Sequence, residues 1–135
     1  MFTKSLLIFS ILFSLLPFGC EFDSDPEASP DRYVEPEYQI VTGESAKALY
    51  EMNEGAILLD VRNRDEYDEG HIEGAMLIPV AELENRLLAL PDKNTVIVVY
   101  CRAGRRSALA CEILIANGYI NVFDMQGMEN WPDQG

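Results

Sequence analysis

Basic side chains are scarce: 10 Lys and Arg stand against 23 Asp and Glu in 135 residues, for a formal net charge of -13. A duplex binder needs a cationic footprint to displace counterions, so a nucleic-acid role is excluded. Histidine is nearly absent, with His71 alone, and the three cysteines include no CxxC pair. Both facts argue against a zinc site, and three cysteines are too few for a disulfide scaffold. No metal and no cofactor is expected. No internal repeat is visible. What the chain does have is a 48% hydrophobic composition, enough to build a packed core at the length of one ordinary domain (~100–150 residues).

The first residues differ from the rest. Lys4 is their only charge, and Ser5 to Cys20 form an uncharged, largely apolar run of 16 residues. That is short of the ~20 residues a membrane-spanning helix needs. A basic start, an apolar stretch and a small residue before a boundary describe a secretory signal peptide over residues 1–19. The boundary Leu16-Pro17-Phe18-Gly19-Cys20 resembles a bacterial lipoprotein cleavage box. Gly19 and Cys20 fit that pattern, while Pro17 and Phe18 depart from it. The resemblance implies that Cys20 becomes the first mature residue and carries a lipid. The alternative is a plain signal peptide with an incidental cysteine. The expected location is the bacterial cell envelope or periplasm, with membrane contact through the lipid. Residues 20–39 then read as a tether, because 21–39 hold seven carboxylates, one Arg and three Pro without apolar periodicity. Such a stretch cannot bury enough surface to offset its ordering entropy. One domain, 40–135, remains.

Within it, strand and helix signals alternate. Residues 56–60 and 95–100 are short apolar runs of the kind that form strands buried on both faces. Residues 76–78, 121–123 and 39–41 are shorter strand candidates. Helices are expected over 44–52 behind Thr42 as N-cap, over 82–90 with Leu83, Leu87 and Leu90 on one stripe, and over 106–117 before Gly118. Residues 64–69 predict one short helical turn. This order implies an α/β domain with a central, mainly parallel sheet and helices on both faces. Ligands of such folds sit at the carboxyl ends of the strands. Two corners fall there, Asp60-Val61-Arg62 and Cys101 to Ser107.

Cys101 follows a buried strand and precedes a helix, with Arg102, Ala103, Gly104, Arg105 and Arg106 between. Successive N–H groups in such a turn, backed by a helix N-terminus, favour an anion. A thiol held there ionises near ~3.5–7.5 rather than ~8.5, with no separate general base. Three arginines within five positions repel one another unless an anion joins them, so Cys101 reads as reactive rather than as core filling. Cys111, mid-helix among apolar neighbours, reads as core. A 101–111 disulfide is disfavoured by reach.

These stretches, with Leu59 to Arg62, Glu66-Tyr67, Gly70 to Ala75, Ile78-Pro79, Gly118-Tyr119 and Gly127 to Trp131, resemble the rhodanese-like sulfurtransferases, most of all their single-domain, exported, phage-shock-type members. The resemblance covers nearly all of 40–135 and implies a rhodanese-like fold and a thiosulfate sulfurtransferase. Cys101 would take sulfur from a small anionic donor as a persulfide and pass it to a thiophilic acceptor, cyanide or a thiol. Backbone N–H groups of residues 102–106 would hold the persulfide, and Arg102 and Arg105 would attract the donor. Arg106 is expected to brace the loop by pairing with Asp60. Arg62 has two readings, a pair with Glu66 or steering of the donor. His71 reads as a turn residue bonded to backbone, and Trp131 as an apolar lid.

Two rival functions stand beside this one. A sulfur carrier or thiol-binding partner module without useful turnover would have the same cysteine. Cys-based phosphatases and arsenate reductases place Arg sixth after the cysteine, whereas here Ser107 is sixth and Arg106 fifth. The shorter loop disfavours a tetrahedral oxyanion.

Overall fold

The structure, a computed structural model, describes residues 37–90 and 92–133. The expected signal peptide, the Cys20 lipid site and the tether up to residue 36 lie outside the described residues.

Five parallel strands form one sheet: β1 (Gln39–Ile40), β2 (Ile57–Asp60), β3 (Met76–Leu77), β4 (Ile97–Cys101) and β5 (Val122–Gly127), in the order β1-β5-β4-β2-β3. Three α-helices connect them, α1 (Gly43–Met52), α2 (Arg64–Glu69) and α3 (Arg105–Ala116). The helix starts follow local chemistry. Thr42 accepts the Ser45 N–H at 3.3 Å, and Asn63 with Glu66 forms a capping box that opens α2.

β4 lies in the middle of the sheet with all five residues buried. Its period-2 alternation divides the core. Ile97, Val99 and Cys101 face Ala110, Cys111 and Leu114 of α3, together with Leu83 and Leu90. Val98 and Tyr100 face the other way, toward Ala46 of α1, Ile72, Met125 and Trp131. Helices therefore cover both faces, as the apolar runs required. The same alternation turns Cys101 toward the start of α3.

Two elements differ from expectation. Residues 82–90 do not form an α-helix; a 3₁₀ segment runs from Val80 to Ala89, with non-helical dihedrals at Arg86. The Tyr119 hydroxyl donates to the carbonyls of Leu87 and Leu90 at 3.1 and 3.3 Å, drawing on acceptors at the end where an α-helix would close its last turn. Leu83 and Leu90 still reach the core. The last strand extends well beyond 121–123, through an irregular pairing opposite Val99 and Tyr100. Asp124 Oδ1 accepts the Gln126 N–H at 2.8 Å, which bulges the chain at Met125 and sets Gln126 at φ 70°.

Candidate active site

Cys101 ends β4, and only Arg102, Ala103 and Gly104 separate it from α3. So tight a reversal needs a left-handed residue, and Gly104 supplies it at φ 94°. A β-carbon there would stand 3.2 Å from Cβ of Gln126, so the bulge in β5 presses directly on the loop. The reversal turns the Gly104 N–H back to donate to Cys101 Sγ at 3.0 Å. One helical turn further on, Ser107 returns to the loop, its hydroxyl donating to the Gly104 carbonyl at 2.9 Å.

Cys101 is 1% exposed, and burial is the largest single influence on its thiol, opposing ionisation. Hydrogen-bonding groups together outweigh burial: the amides of Ser107, Gly104 and Ala103, and the Ser107 hydroxyl where it turns from the Gly104 carbonyl to the sulfur. They hold the thiol below its ordinary value. Cys111, equally buried but without such donors, is pushed far up by desolvation, with Asp124 and Cys101 adding to the effect. Both cysteines are free. Two thiols on one face of the sheet thus have opposite chemistry. Of these two, Cys101 is the one whose surroundings favour a thiolate.

Of the amides from 102 to 106, those of Ala103 and Gly104 act on the sulfur; Ser107, which the sequence reading left out, joins them. Its position three residues beyond Gly104, where a first helical turn comes back over the loop, was the available signal. Arg102 and Arg105 are exposed and have no ion pair among the described residues, so both are free to meet an anion.

Arg106 does brace the loop, but not through Asp60. It clasps Glu66 of α2 in a two-point pair, Nη1 to Oε2 at 2.5 Å and Nη2 to Oε1 at 2.8 Å. Asp60 is already filled: its Oδ1 accepts the Arg62 backbone N–H at 2.9 Å, and the Arg62 guanidinium donates to both carboxylate oxygens at 2.6–3.0 Å. Arg62 consequently pairs with Asp60 rather than Glu66, donates onward to the Gly70 carbonyl at 2.8 Å, and is 5% exposed. That burial ties it to the corner. Arg106 and the Asn63 amide hold the Glu66 carboxyl down to about 2.

A cleft of about 420 Å³ adjoins this corner, lined by Arg62, Glu66, Glu69, Arg102, Met128 and Glu129 among others. Arg102 and Met128 follow directly on Cys101 and Gly127, which are partners in the β4–β5 register. The cleft is therefore lined by the residues that directly follow Cys101 and its register partner. His71 stacks on Tyr67 with ring centroids 3.6 Å apart, and its Nδ1 donates to the Tyr67 carbonyl at 2.9 Å. Trp131 is buried against Tyr50. Among the described residues no three potential ligands converge on a metal position.

The chain is similar to known proteins. The family description "Rhodanese-like domain" matches residues 44–134. The thiosulfate sulfurtransferase PspE of Escherichia coli is 42% identical over 73 residues, which cover 53% of this chain and 70% of PspE. A sulfurtransferase of Allochromatium vinosum is 32% identical over 87 residues, 64% of this chain and 80% of the relative. Among solved structures, a rhodanese with anions from E. coli superposes with a TM-score of 0.54 at 40% identity, covering 56% of this chain and 91% of that one.

Proposed function

The chain belongs to the rhodanese-like domain family, and on that footing we propose that it is a thiosulfate-type sulfurtransferase working through a persulfide on Cys101. The observation that carries this reading is the Gly104 N–H donated to Cys101 Sγ at 3.0 Å in a loop that favours the thiolate. In the first step the thiolate attacks the outer sulfur of thiosulfate. The S–S bond of the donor breaks, its electron pair leaves with sulfite, and Cys101 holds a persulfide anion. In the second step an acceptor thiolate or cyanide attacks the outer sulfur, and the electron pair of the Cys101–sulfur bond returns to Cys101. Charge balances in both steps, and no oxidant is needed. Covalent storage divides one transfer into two. The amides and the Ser107 hydroxyl favour the charge on sulfur, while Arg102 and Arg105 draw the anionic donor against a field that is negative overall.

Intact-mass measurement after incubation with thiosulfate tests the reading. Gain of one sulfur atom, absent in Cys101→Ser and discharged by cyanide, is expected; no gain would overturn it. Steady-state turnover separates an enzyme from a carrier that loads without cycling. The phosphatase reading is disfavoured further by Arg106, whose guanidinium is committed to Glu66. Hydrolysis of an aryl phosphate dependent on Cys101 would restore it.

The proposal extends to location. The pattern of residues 1–20 supports export and lipidation at Cys20, with the acidic segment as spacer. Recovery of wild type in the membrane fraction and of Cys20→Ser in the soluble envelope fraction is the expected result.

A further inference from the structure

The charges lining the cleft are not equivalent. Arg62 is matched by Asp60, and Glu66 by Arg106. Three lining groups have no ion pair among the described residues: Arg102, Glu69 and Glu129. The carboxylate of Glu129 folds back over Gly127 and fills the space that a β-carbon there would need. Gly127 is the register partner of Cys101. A negative charge thus stands over the strand next to Cys101, at the carboxyl end of the sheet, with Glu69 beside the same cleft and Arg102 as its cationic counterpart.

Such a mouth treats the two substrates of a sulfur transfer differently. A dianionic donor gains from Arg102 and loses to Glu69 and Glu129. An acceptor that carries an ammonium group loses to Arg102 but gains from both carboxylates as its thiolate approaches the persulfide. From this asymmetry we infer that the acceptor is a positively charged thiol, an aminothiol, and that Glu129 is a specificity-determining residue for it. The inference rests on the sulfurtransferase reading and concerns its second step. An aminothiol thiolate attacks the outer sulfur of the Cys101 persulfide, the Cys101–sulfur bond breaks, and the product leaves as an aminothiol persulfide.

The test uses the purified protein loaded with thiosulfate, followed by discharge with cysteamine, 2-mercaptoethanol or 3-mercaptopropionate, which differ in charge at similar size. The ratio of kcat/KM for cysteamine over mercaptopropionate is compared between wild type and Glu129→Gln. The intrinsic nucleophilicity of each thiol cancels in that comparison. The ratio is expected to fall about fivefold in the variant and about as far in wild type at 0.5 M salt, while KM for thiosulfate falls. Glu69→Gln should move the ratio in the same direction, and Glu129→Lys further than Glu129→Gln. Loss of folding would not mimic this, because it lowers every rate without changing a ratio between thiols. Loading that proceeds normally with a ratio unchanged in Glu129→Gln overturns the inference alone. Failure of wild type to take up sulfur at all overturns the sulfurtransferase reading, and the inference with it.

Discussion

Glu66 and Arg106 lie 40 positions apart in sequence and meet in a two-point ion pair that ties α2 to the first turn of α3. The pair holds the active-site loop from outside. Its carboxylate also accepts the Asn63 N–H at 3.0 Å, so one side chain both caps a helix and anchors the loop. Disturbing it should therefore affect stability and chemistry together.

Glu66→Gln keeps a capping acceptor but loses the charge. The variant should lose about 1 kcal/mol at pH 7, a figure set by the partial exposure of both partners. The carboxyl falls from an ordinary 4.5 to about 2 on folding, so its stabilisation is complete above 4.5 and disappears as pH falls through about 2. Urea unfolding of wild type and variant at pH 7, 5, 4 and 3 should show a difference that shrinks across the last steps. A difference that stays constant would assign the loss to packing instead.

Ser107→Ala removes a hydroxyl that favours the Cys101 thiolate. The thiol should rise toward its ordinary value, and alkylation by iodoacetamide at pH 7 should slow on the order of 3–10-fold, the effect of one ordinary hydrogen bond of about 0.5–1.5 kcal/mol. The pH–rate profile checks this, since a merely structural defect would leave its midpoint in place. Cys111, held protonated by burial, should stay unreactive in both proteins.

Gly104→Ala forces an L-residue to φ 94° and brings its β-carbon to 3.2 Å from Gln126. The strain costs about 1–3 kcal/mol. Sulfur loading should slow more than stability alone explains, because the N–H aimed at Cys101 moves with the loop. Loading rates measured well below the unfolding midpoint decide the point.

Asp60→Ala leaves Arg62 buried without its partner and should cost about 3–5 kcal/mol. Asp60→Ala combined with Arg62→Leu should recover part of that loss. Urea midpoints of the single and double variants measure the coupling. A simply additive pair would show that the two side chains act independently.

The parts of this protein written in its sequence are those governed by local rules. The β-branched run of β4 is buried whatever its neighbours, the Thr42 cap starts α1 by itself, and Gly104 after Cys101 can only turn the chain back. Cys101, Gly104 and the strand–helix order were legible for that reason. The 3₁₀ path of 80–89 was not, because Tyr119 reaches its carbonyls from 29 and 32 positions away. Nor was the length of β5, whose Asp124 and Gln126 are poor strand formers and are held there by a bulge. The pairing of the arginines was the clearest case. Spacing places a guanidinium near the loop but does not choose among carboxylates. Asp60 goes to Arg62 because two residues in one corner meet at no entropic cost of loop closure, which leaves Glu66 for Arg106. Sequence alone pointed to Cys101 and to the strand–loop–helix backbone that surrounds it. Only the tertiary structure decided which charges are neutralised and which remain to select what approaches, since ion pairing depends on distances that the fold creates.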